Sequence, residues 1–323
     1  MKLLKVFVAL VSTLGFGAQV HADSTYPNKP ITIVVAYPPG GSADLIGRLM
    51  ADKLSKRVGQ PVVVENKAGA SGNIGTSYVA RSKPDGYTLL LNNNTLSMTT
   101  ALGIQHAVDP LKDLTYIASV ASTPVAIAVH PSIPANSVDE LVEYAKTTKQ
   151  ELNYSSCGNG SPQHFAGEQF NRLAKTKMVH IPYGGCAPAT LDGVAGQVSV
   201  LFNSIPNLDG LVQSKKLKYI AVASEKRLTF EPNLPAVKET KGFNEFAEEV
   251  WFGFLGPKDM PPEITKYLER EFLEIINDKN VQQELADRLI STYILNSNQF
   301  KTRMANELKK YTQVANELDM RGR

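Results

Sequence analysis

The sequence of 323 residues predicts an α/β fold of mainly parallel sheets flanked by helices, and it is long enough for two domains. Two observations support this fold class. Strand-like apolar runs alternate with helical patterns through most of the chain, which favours parallel strands joined by right-handed crossovers. In addition, three predicted strands end in a glycine-rich bend that leads directly into a helix, at residues 38–42, 157–161 and 184–188. Ligands of open α/β sheets bind at such carboxyl ends of strands.

The first 22 residues have the pattern of a secretory signal peptide. Lys2 and Lys5 precede an apolar run over residues 6–16, and small residues stand before an expected cleavage site after Ala22. The apolar run is shorter than the roughly 20 residues that a membrane crossing needs. We therefore expect an exported protein that is not inserted in the membrane, and we leave residues 1–22 out of the fold prediction.

Nine segments are predicted to form strands because they are short apolar runs bounded by Gly, Pro or polar residues. The fourth is unusually long and is broken around Pro124, which is typical of a strand that crosses between domains. The third leaves through a markedly polar run at residues 92–95. In chain order, the predicted strands are residues 31–37, 62–64, 87–91, 115–130, 152–156, 178–183, 197–202, 217–222 and 291–294.

Helices are predicted where apolar residues recur at helical spacing between capping signals. In the first of them, Leu45, Ile46 and Leu49 share one face, Ser42 is a suitable N-cap, and Gly59 ends the helix. Short helices are expected after Ser161 and after Ala187, and residues 229–236 are predicted to be a proline-bearing loop. The first helix is predicted near residues 42–58, and the others near residues 73–82, 137–146, 261–277, 279–289 and 298–318.

Each glycine-rich bend is predicted to present backbone N–H groups at a helix N-terminus, where the macrodipole is positive. Such a place binds an anion without any cationic side chain. Three of these bends in one chain predict a pocket for a small carboxylate or phosphate. The candidate ligand-binding residues are Tyr37, Pro39, Gly40, Gly41, Ser42, Asn94, Gly158, Asn159, Gly160, Ser161, His164, Tyr183, Gly184, Gly185 and Asn203.

Several of these candidates also have a purely structural interpretation. Tyr37 could wall the pocket or pack beneath it, and Tyr183 could pack in the sheet or direct its hydroxyl into the cleft. His164 could be a neutral wall residue or a hydrogen-bond donor to the ligand. Asn94 and Asn203 stand at strand ends, where asparagine often only forms a turn.

Two further residues are assigned structural roles. Asp44 falls in the first turn of its helix, where a carboxylate stabilises the dipole but would repel an anionic ligand. We therefore interpret Asp44 as a cap or a clamp of the loop. Trp251, the single tryptophan, is assigned to the core.

The composition excludes several classes of function. The net charge of +3 would fall to +1 on loss of the two signal-peptide lysines, so nucleic-acid binding has no electrostatic support. The sequence contains no phosphate-binding loop, no dinucleotide fingerprint and no Gly-x-Ser-x-Gly elbow. No two histidines beyond residue 22 have the spacing of metal ligands. We therefore expect neither a metal nor a cofactor.

The two cysteines, Cys157 and Cys186, both stand in glycine-rich bends. Export would place them in an oxidising compartment, where they could form a disulfide if their two strands are neighbours. The alternative is a pair of free thiols that line the pocket.

Several sequence blocks resemble the Bug family, the extracytoplasmic solute receptors of tripartite tricarboxylate transporters. The blocks occur in the family's order and together cover essentially residues 26–318. They are Tyr-Pro-Pro-Gly-Gly-Ser-Ala-Asp at 37–44, the Asn-Lys-Ala-Gly block at 66–75, Lys-Pro-Asp-Gly-Tyr-Thr-Leu at 83–89, and Ile-Pro-Tyr-Gly-Gly-Cys-Ala-Pro-Ala at 181–189, with Gly196, Gln197, Val198 and Phe202.

The resemblance implies a two-lobed periplasmic binding protein fold of type II-like organisation, located in the periplasm. It implies a discontinuous lobe I, residues 23–122 plus 225–323, and a lobe II of residues 123–224. A small carboxylate would be held in the cleft by backbone amides, hydroxyls and water. The receptor would act as a monomer and serve membrane permease subunits or a sensor.

The chain departs from the family pattern near the expected cleft. Cys157 and Cys186 replace small residues, and Gly184 stands where the family often has lysine. The segment at 102–108 is shorter than usual. These departures indicate that the ligand differs from the commonest ligands of the family.

The alternative function is a cofactor-independent amino-acid racemase in which Cys157 and Cys186 exchange a proton with the α-carbon. Two features disfavour it. Both cysteines fall in the same predicted lobe, and no basic residue stands beside either to lower the pKa of its thiol.

Overall fold

The computed structural model describes residues 26–104, 108–228 and 230–321. The predicted signal peptide and its cleavage site lie outside these residues and stay predictions. The strands are β1 (Ile31–Val35), β2 (Val62–Asn66), β3 (Thr88–Asn93), β4 (Leu114–Val129), β5 (Asn153–Ser156), β6 (Val179–Pro182), β7 (Val200–Ser204), β8 (Lys218–Val222), β9 (Glu249–Pro257) and β10 (Ser291–Leu295). The helices are α1 (Ser42–Val58), α2 (Asn73–Ala80), α3 (Thr95–Ala101), α4 (Val138–Thr147), α5 (Pro162–Ala174), α6 (Cys186–Val194), α7 (Ile205–Gln213), α8 (Pro262–Asn277), α9 (Lys279–Ala286) and α10 (Ser297–Glu317).

The strands form one hydrogen-bonded network in the order β2-β1-β3-β9-β4-β7-β5-β6, and β8 and β10 also pair with β4. The predicted α/β class is confirmed, with parallel pairing in two groups, β2-β1-β3 and β6-β5-β7. We call these the first and second parallel groups. Between the two groups, β9 and β4 pair with each other in antiparallel fashion. Strand β9 also pairs antiparallel with β3 of the first group, and β4 pairs antiparallel with β7 of the second. Parallel pairing therefore covers less of the sheet than the alternation of elements predicts.

Strand β4 joins the two parallel groups because it changes partner along its length. Residues up to Pro124 pair with β9, whereas Val125 and the residues after it pair with β7 and β8. The long strand predicted around Pro124 is thus a single strand of 16 residues. Pro124 has no N–H to donate to the ladder. The next residue, Val125, donates its backbone N–H to Glu248 O at 3.0 Å, so pairing resumes directly after the proline.

Helix α1 is fixed against the first parallel group by its apolar face. Ile46, Met50 and Leu54 are fully buried and belong to one core cluster with Ile33 and Leu89 of the sheet. Each such side chain contributes about 1.5–3 kcal/mol through burial of apolar surface. The N-terminus of α1 is therefore held in a defined position at the carboxyl end of β1.

None of the helices within residues 26–104, 108–228 and 230–321 combines the length and the apolar composition that a membrane crossing requires.

A buried carboxyl, that of Glu248, lies where the chain enters β9. Its backbone N donates to Ala223 O at 2.7 Å, and its Oε1 accepts a hydrogen bond from the Tyr311 hydroxyl at 2.7 Å. Burial raises the pKa of Glu248 to about 7, although the nearby positive charges of Lys310 and Arg303 act in the opposite direction. The carboxyl is consequently half protonated near neutral pH.

The Glu248→Gln variant should lose a pH-dependent part of the folding stability. The pKa in the folded protein is about 7 and the ordinary value is 4.5, so the stabilisation is fully present below the latter. It is lost as the pH rises through about 7, with a slope of up to about 1.4 kcal/mol per pH unit between these values. Urea unfolding of both proteins from pH 4.5 to 8 measures this. If the two stability curves stay parallel over that range, the assignment of Glu248 is wrong.

Candidate functional site

Five helices begin at one cavity. The cavity has a volume of about 40 Å³ and lies at the carboxyl ends of strands from both parallel groups. Its residues from helix starts are Gly41, Ser42 and Ala43 of α1, Thr95 of α3, Ser161 and Gln163 of α5, Cys186 and Ala187 of α6, and Ser204 at α7. The other lining residues are Tyr37, Pro38, Asn93, Cys157, Val250 and Phe252.

The helix starts give this cavity a positive potential. Helices α1, α6 and α7 have no side-chain cap on their N-terminal N–H groups. Each therefore directs backbone donors and the positive end of its dipole towards the cavity. None of the described residues that line the cavity is charged. An anion would thus be stabilised here by main-chain dipoles rather than by a cation.

Two lining hydroxyls supply further donors. Ser161 Oγ accepts a hydrogen bond from His164 N at 3.2 Å as the N-cap of α5. Ser204 Oγ accepts one from Gln163 Nε2 at 3.4 Å. Since a hydroxyl also carries one hydrogen of its own, each can still donate to a ligand.

The first glycine-rich bend is held by Asp44. Its carboxylate accepts hydrogen bonds from Gly40 N at 3.1 Å, Arg48 Nε at 3.0 Å and Asn66 Nδ2 at 2.9 Å. Burial acts to raise the pKa of Asp44, but these hydrogen bonds outweigh it and keep the pKa below its usual value. The carboxylate is therefore ionised and directed into the bend, as expected for a structural clamp.

The second and third bends are joined by a disulfide between Cys157 and Cys186. Cys157 precedes the bend at 158–160, and Cys186 is the first residue of α6. Beyond the last β5–β6 pair, Ser156 with Pro182, the two strand exits are thus covalently linked. Both cysteines line the cavity, so the disulfide is part of its wall.

Residues that follow strands of the two parallel groups meet around the cavity. Ser42 Oγ donates to Asn207 Oδ1 at 3.2 Å, and Ser71 Oγ donates to Asn159 O at 2.8 Å. Gly185 packs against the Pro38 ring so closely that an added Cβ would lie 2.8 Å from it. These contacts leave little open space between the two sides.

The structure brings together part of the predicted site. Tyr37, Gly41, Ser42 and Ser161 line the cavity, together with both cysteines. The other eleven predicted ligand-binding residues do not line it. They are Pro39, Gly40, Asn94, Gly158, Asn159, Gly160, His164, Tyr183, Gly184, Gly185 and Asn203.

Several of these eleven side chains are engaged within the protein. The Tyr183 hydroxyl donates to Asp192 Oδ2 at 2.7 Å, and burial together with this carboxylate raises the pKa of Tyr183 to about 12. Asn203 Nδ2 donates to Thr190 Oγ1 at 2.8 Å, and its Oδ1 accepts from Ser204 N at 2.8 Å. Asn94 Nδ2 donates to Glu249 O at 2.8 Å. Tyr183 and Asn203 therefore position α6 and α7, whose starts line the cavity.

His164 and Asn159 lie at a second, larger cavity of about 920 Å³ beside α5 and the edge strand β6. The His164 and His180 rings stack there at 3.9 Å between centroids. Burial lowers the pKa of His180 to about 4, so this ring is neutral at pH 7. His164 Nδ1 accepts from Gly160 N at 3.1 Å. The stacked rings therefore hold His164 in place, and His164 in turn binds the backbone of the second bend at Gly160.

The sequence prediction missed several lining residues. Val250 and Phe252 belong to β9, which was not predicted, although an apolar run between Glu249 and Pro257 was a usable signal. Asn93 and Thr95 belong to the polar strand exit at residues 92–95, where only Asn94 is a predicted ligand-binding residue. Within the described residues, no group of three or more His, Cys, Asp or Glu side chains is arranged to hold a metal ion.

Comparison with known proteins identifies similar sequences and folds. Residues 46–320 match the family described as the tripartite tricarboxylate transporter family receptor. Protein BugT of Bordetella pertussis is 33% identical over 318 residues, which cover 98% of this chain and 97% of BugT. The periplasmic binding protein BugD superposes with a TM-score of 0.87 at 28% identity, covering 92% of this chain and 99% of BugD. Rpa4515 of R. palustris, solved with adipate, also gives a TM-score of 0.87 at 28% identity, covering 91% and 98% of the two chains.

Proposed function

The chain belongs to the tripartite tricarboxylate transporter receptor family, and from this premise we propose that it captures a small carboxylate in the cavity where five helices begin. The observation that carries the proposal is the uncapped N-termini of α1, α6 and α7 around a cavity without charged lining residues. A carboxylate is the anion that such donors match, and it would accept from amides and hydroxyls at once. The adipate in the similar protein Rpa4515 supports this class of ligand.

Capture would proceed by closure of two lobes about the ligand. We assign residues 23–122 plus 225–323 to lobe I and residues 123–224 to lobe II. The partner change of β4 at Pro124 and Val125 supports a crossing at this point. On closure, contacts such as Ser42 with Asn207 and Ser71 with Asn159 would form across the cleft and exclude water. Removal of water strengthens each amide contact with the anion.

The receptor would be exported to the periplasm, act as a monomer, and deliver its ligand to membrane permease subunits or to a sensor. The predicted signal peptide and the likeness to the periplasmic protein BugD support this location. The family's description supports a transporter partner.

We propose a non-enzymatic role in preference to the racemase. That reaction needs one thiolate and one thiol, and in the disulfide neither Cys157 nor Cys186 can take up or release a proton. Incubation with a pure L-amino acid should yield none of the D-enantiomer, with or without a dithiol reductant. Appearance of the D-enantiomer under reducing conditions would support the racemase instead.

Ligand capture is tested on the full chain purified without denaturation. Native mass spectrometry should detect a bound small acid, and calorimetry with a panel of mono-, di- and tricarboxylates should give at least one Kd in the micromolar range or below. A matched panel of neutral amides of the same acids is the control, and these should not bind. Binding of the amides with equal affinity, or of no acid at all, would contradict the proposal.

A further inference from the structure

Part of the cavity wall is apolar. Val250 and Phe252 of β9 line the cavity, and each is only 2% exposed. The Tyr37 hydroxyl donates to Asn92 Oδ1 at 2.7 Å and lies 2.8 Å from Asn93 Oδ1. Because its hydrogen is used in this way, Tyr37 presents its ring rather than a donor. The disulfide adds a further apolar surface.

The polar side chains of the wall are largely satisfied within the protein. Ser42 Oγ donates to Asn207 Oδ1, and Asn93 Oδ1 accepts from Thr95 N at 2.9 Å. Gln163 Nε2 donates to Ser204 Oγ. What the cavity offers is therefore one set of donors, made of helix starts and two serine hydroxyls, together with apolar atoms.

The volume and the charges of the cavity restrict the number of carboxylates that it can hold. At about 40 Å³ the cavity is far smaller than the roughly 300–1,000 Å³ of sites for drug-sized ligands. Two carboxylates in this space would be close together and would repel each other in a medium of low dielectric constant. No charged side chain lines the cavity among the described residues to offset this repulsion.

We propose that the ligand is a compact monocarboxylate with an apolar body, rather than a di- or tricarboxylate. This proposal rests on the proposed function and narrows it. The single carboxylate contacts the starts of α1, α6 and α7 and the hydroxyls of Ser161 and Ser204. The apolar body contacts Val250, Phe252 and the ring of Tyr37.

Calorimetry with isobutyrate, benzoate, malate, adipate and citrate tests the class of ligand. Isobutyrate or benzoate is expected to bind at least tenfold more tightly than each of the other three. If malate, adipate or citrate binds as tightly as the monocarboxylates or more tightly, the narrower proposal is wrong and the receptor function stands. If none of the five binds, both proposals are contradicted.

The Val250→Thr variant tests the apolar wall, because it replaces a methyl group by a hydroxyl of nearly equal volume. The ratio of adipate Kd to benzoate Kd should fall by about threefold to tenfold. A merely structural effect would weaken both acids equally and leave this ratio unchanged, which would overturn the assignment of the wall. Val63→Thr, at a half-exposed position on β2, is the matched control, and it should keep the wild-type ratio. Thermal unfolding of both variants checks that they are folded.

Discussion

Gly41→Asp is expected to weaken ligand binding by at least 100-fold while leaving the protein folded. Gly41 is the N-cap of α1 and lines the cavity. An aspartate there would direct its carboxylate to the N-terminal N–H groups of α1, which are uncapped in the native chain. The side chain would occupy these donors and would also repel the carboxylate of the ligand.

The fold should tolerate this change. Gly41 has φ −92° and ψ 173°, an extended conformation open to any residue, and no heavy atom lies within 4 Å of an added Cβ. Aspartate is among the best N-cap residues and exceeds glycine there by a few tenths of a kcal/mol, so the free energy of unfolding should rise by roughly that amount. Affinity and stability are therefore expected to change in opposite directions, which a general loss of structure cannot produce.

Calorimetry and urea unfolding on the same preparations measure both quantities. Gly41→Ala adds a side chain without a cap and should cost less than tenfold in affinity. Gly41→Asn adds a neutral cap and should fall between the two. Gly210→Asp, on an exposed part of α7, introduces the same charge elsewhere and should bind normally. Unchanged affinity in Gly41→Asp would mean that α1 takes no part in binding.

The elements around the site were predictable where the signal is local. The start of α5 is marked by Ser161 as N-cap and Pro162 as first helical residue, because cap chemistry depends only on neighbouring residues. The start of α1 was predicted in the right place, but Ser42 is its first residue rather than its N-cap, which is Gly41 and has no side-chain cap. The order of strands is not local. Strand β9 lies between β3 and β4 although it is distant from both in sequence, and its antiparallel pairing depends on partners that no short pattern specifies.

The direction of individual side chains was the least predictable feature. Tyr183 and Asn203 stand at strand ends beside the cavity, as expected, but Asp192 and Thr190 on α6 bind their polar groups. Those partners are nine and 13 residues away along the chain, and they meet only after α6 has packed. The sequence therefore locates the bends that form the site, whereas tertiary packing decides which of their atoms face the ligand.

The disulfide between Cys157 and Cys186 is expected to affect both the packing of the bends at the cavity and the stability of the whole fold. Because Cys157 and Cys186 are separated by 29 residues, the bridge restricts the unfolded chain over all of α5 and β6. In the native state it joins two bends that the β5–β6 ladder no longer holds together. We therefore expect it to stabilise the whole fold and, through the start of α6, the donor set of the cavity.

Replacement of both cysteines by serine should lower the free energy of unfolding by roughly 3–4 kcal/mol, which is the chain-entropy value for a loop of about 30 residues. The double variant leaves no odd thiol, since the chain has two cysteines in all. Affinity for the carboxylate should also fall, because α6 then loses its covalent link to the second bend and keeps only non-covalent contacts, such as the hydrogen bonds of Asn203 and Tyr183.

Urea unfolding with and without a dithiol reductant separates the bridge from the side-chain change. Reductant should shift the midpoint of the wild-type protein towards that of the double variant and should leave the double variant unchanged. If the oxidised wild type and the double variant unfold at the same urea concentration with equal slopes, the bridge does not stabilise the fold. The rigidity of the second and third bends would then have to come from the hydrogen bonds of Asn203 and from the stacked rings of His164 and His180.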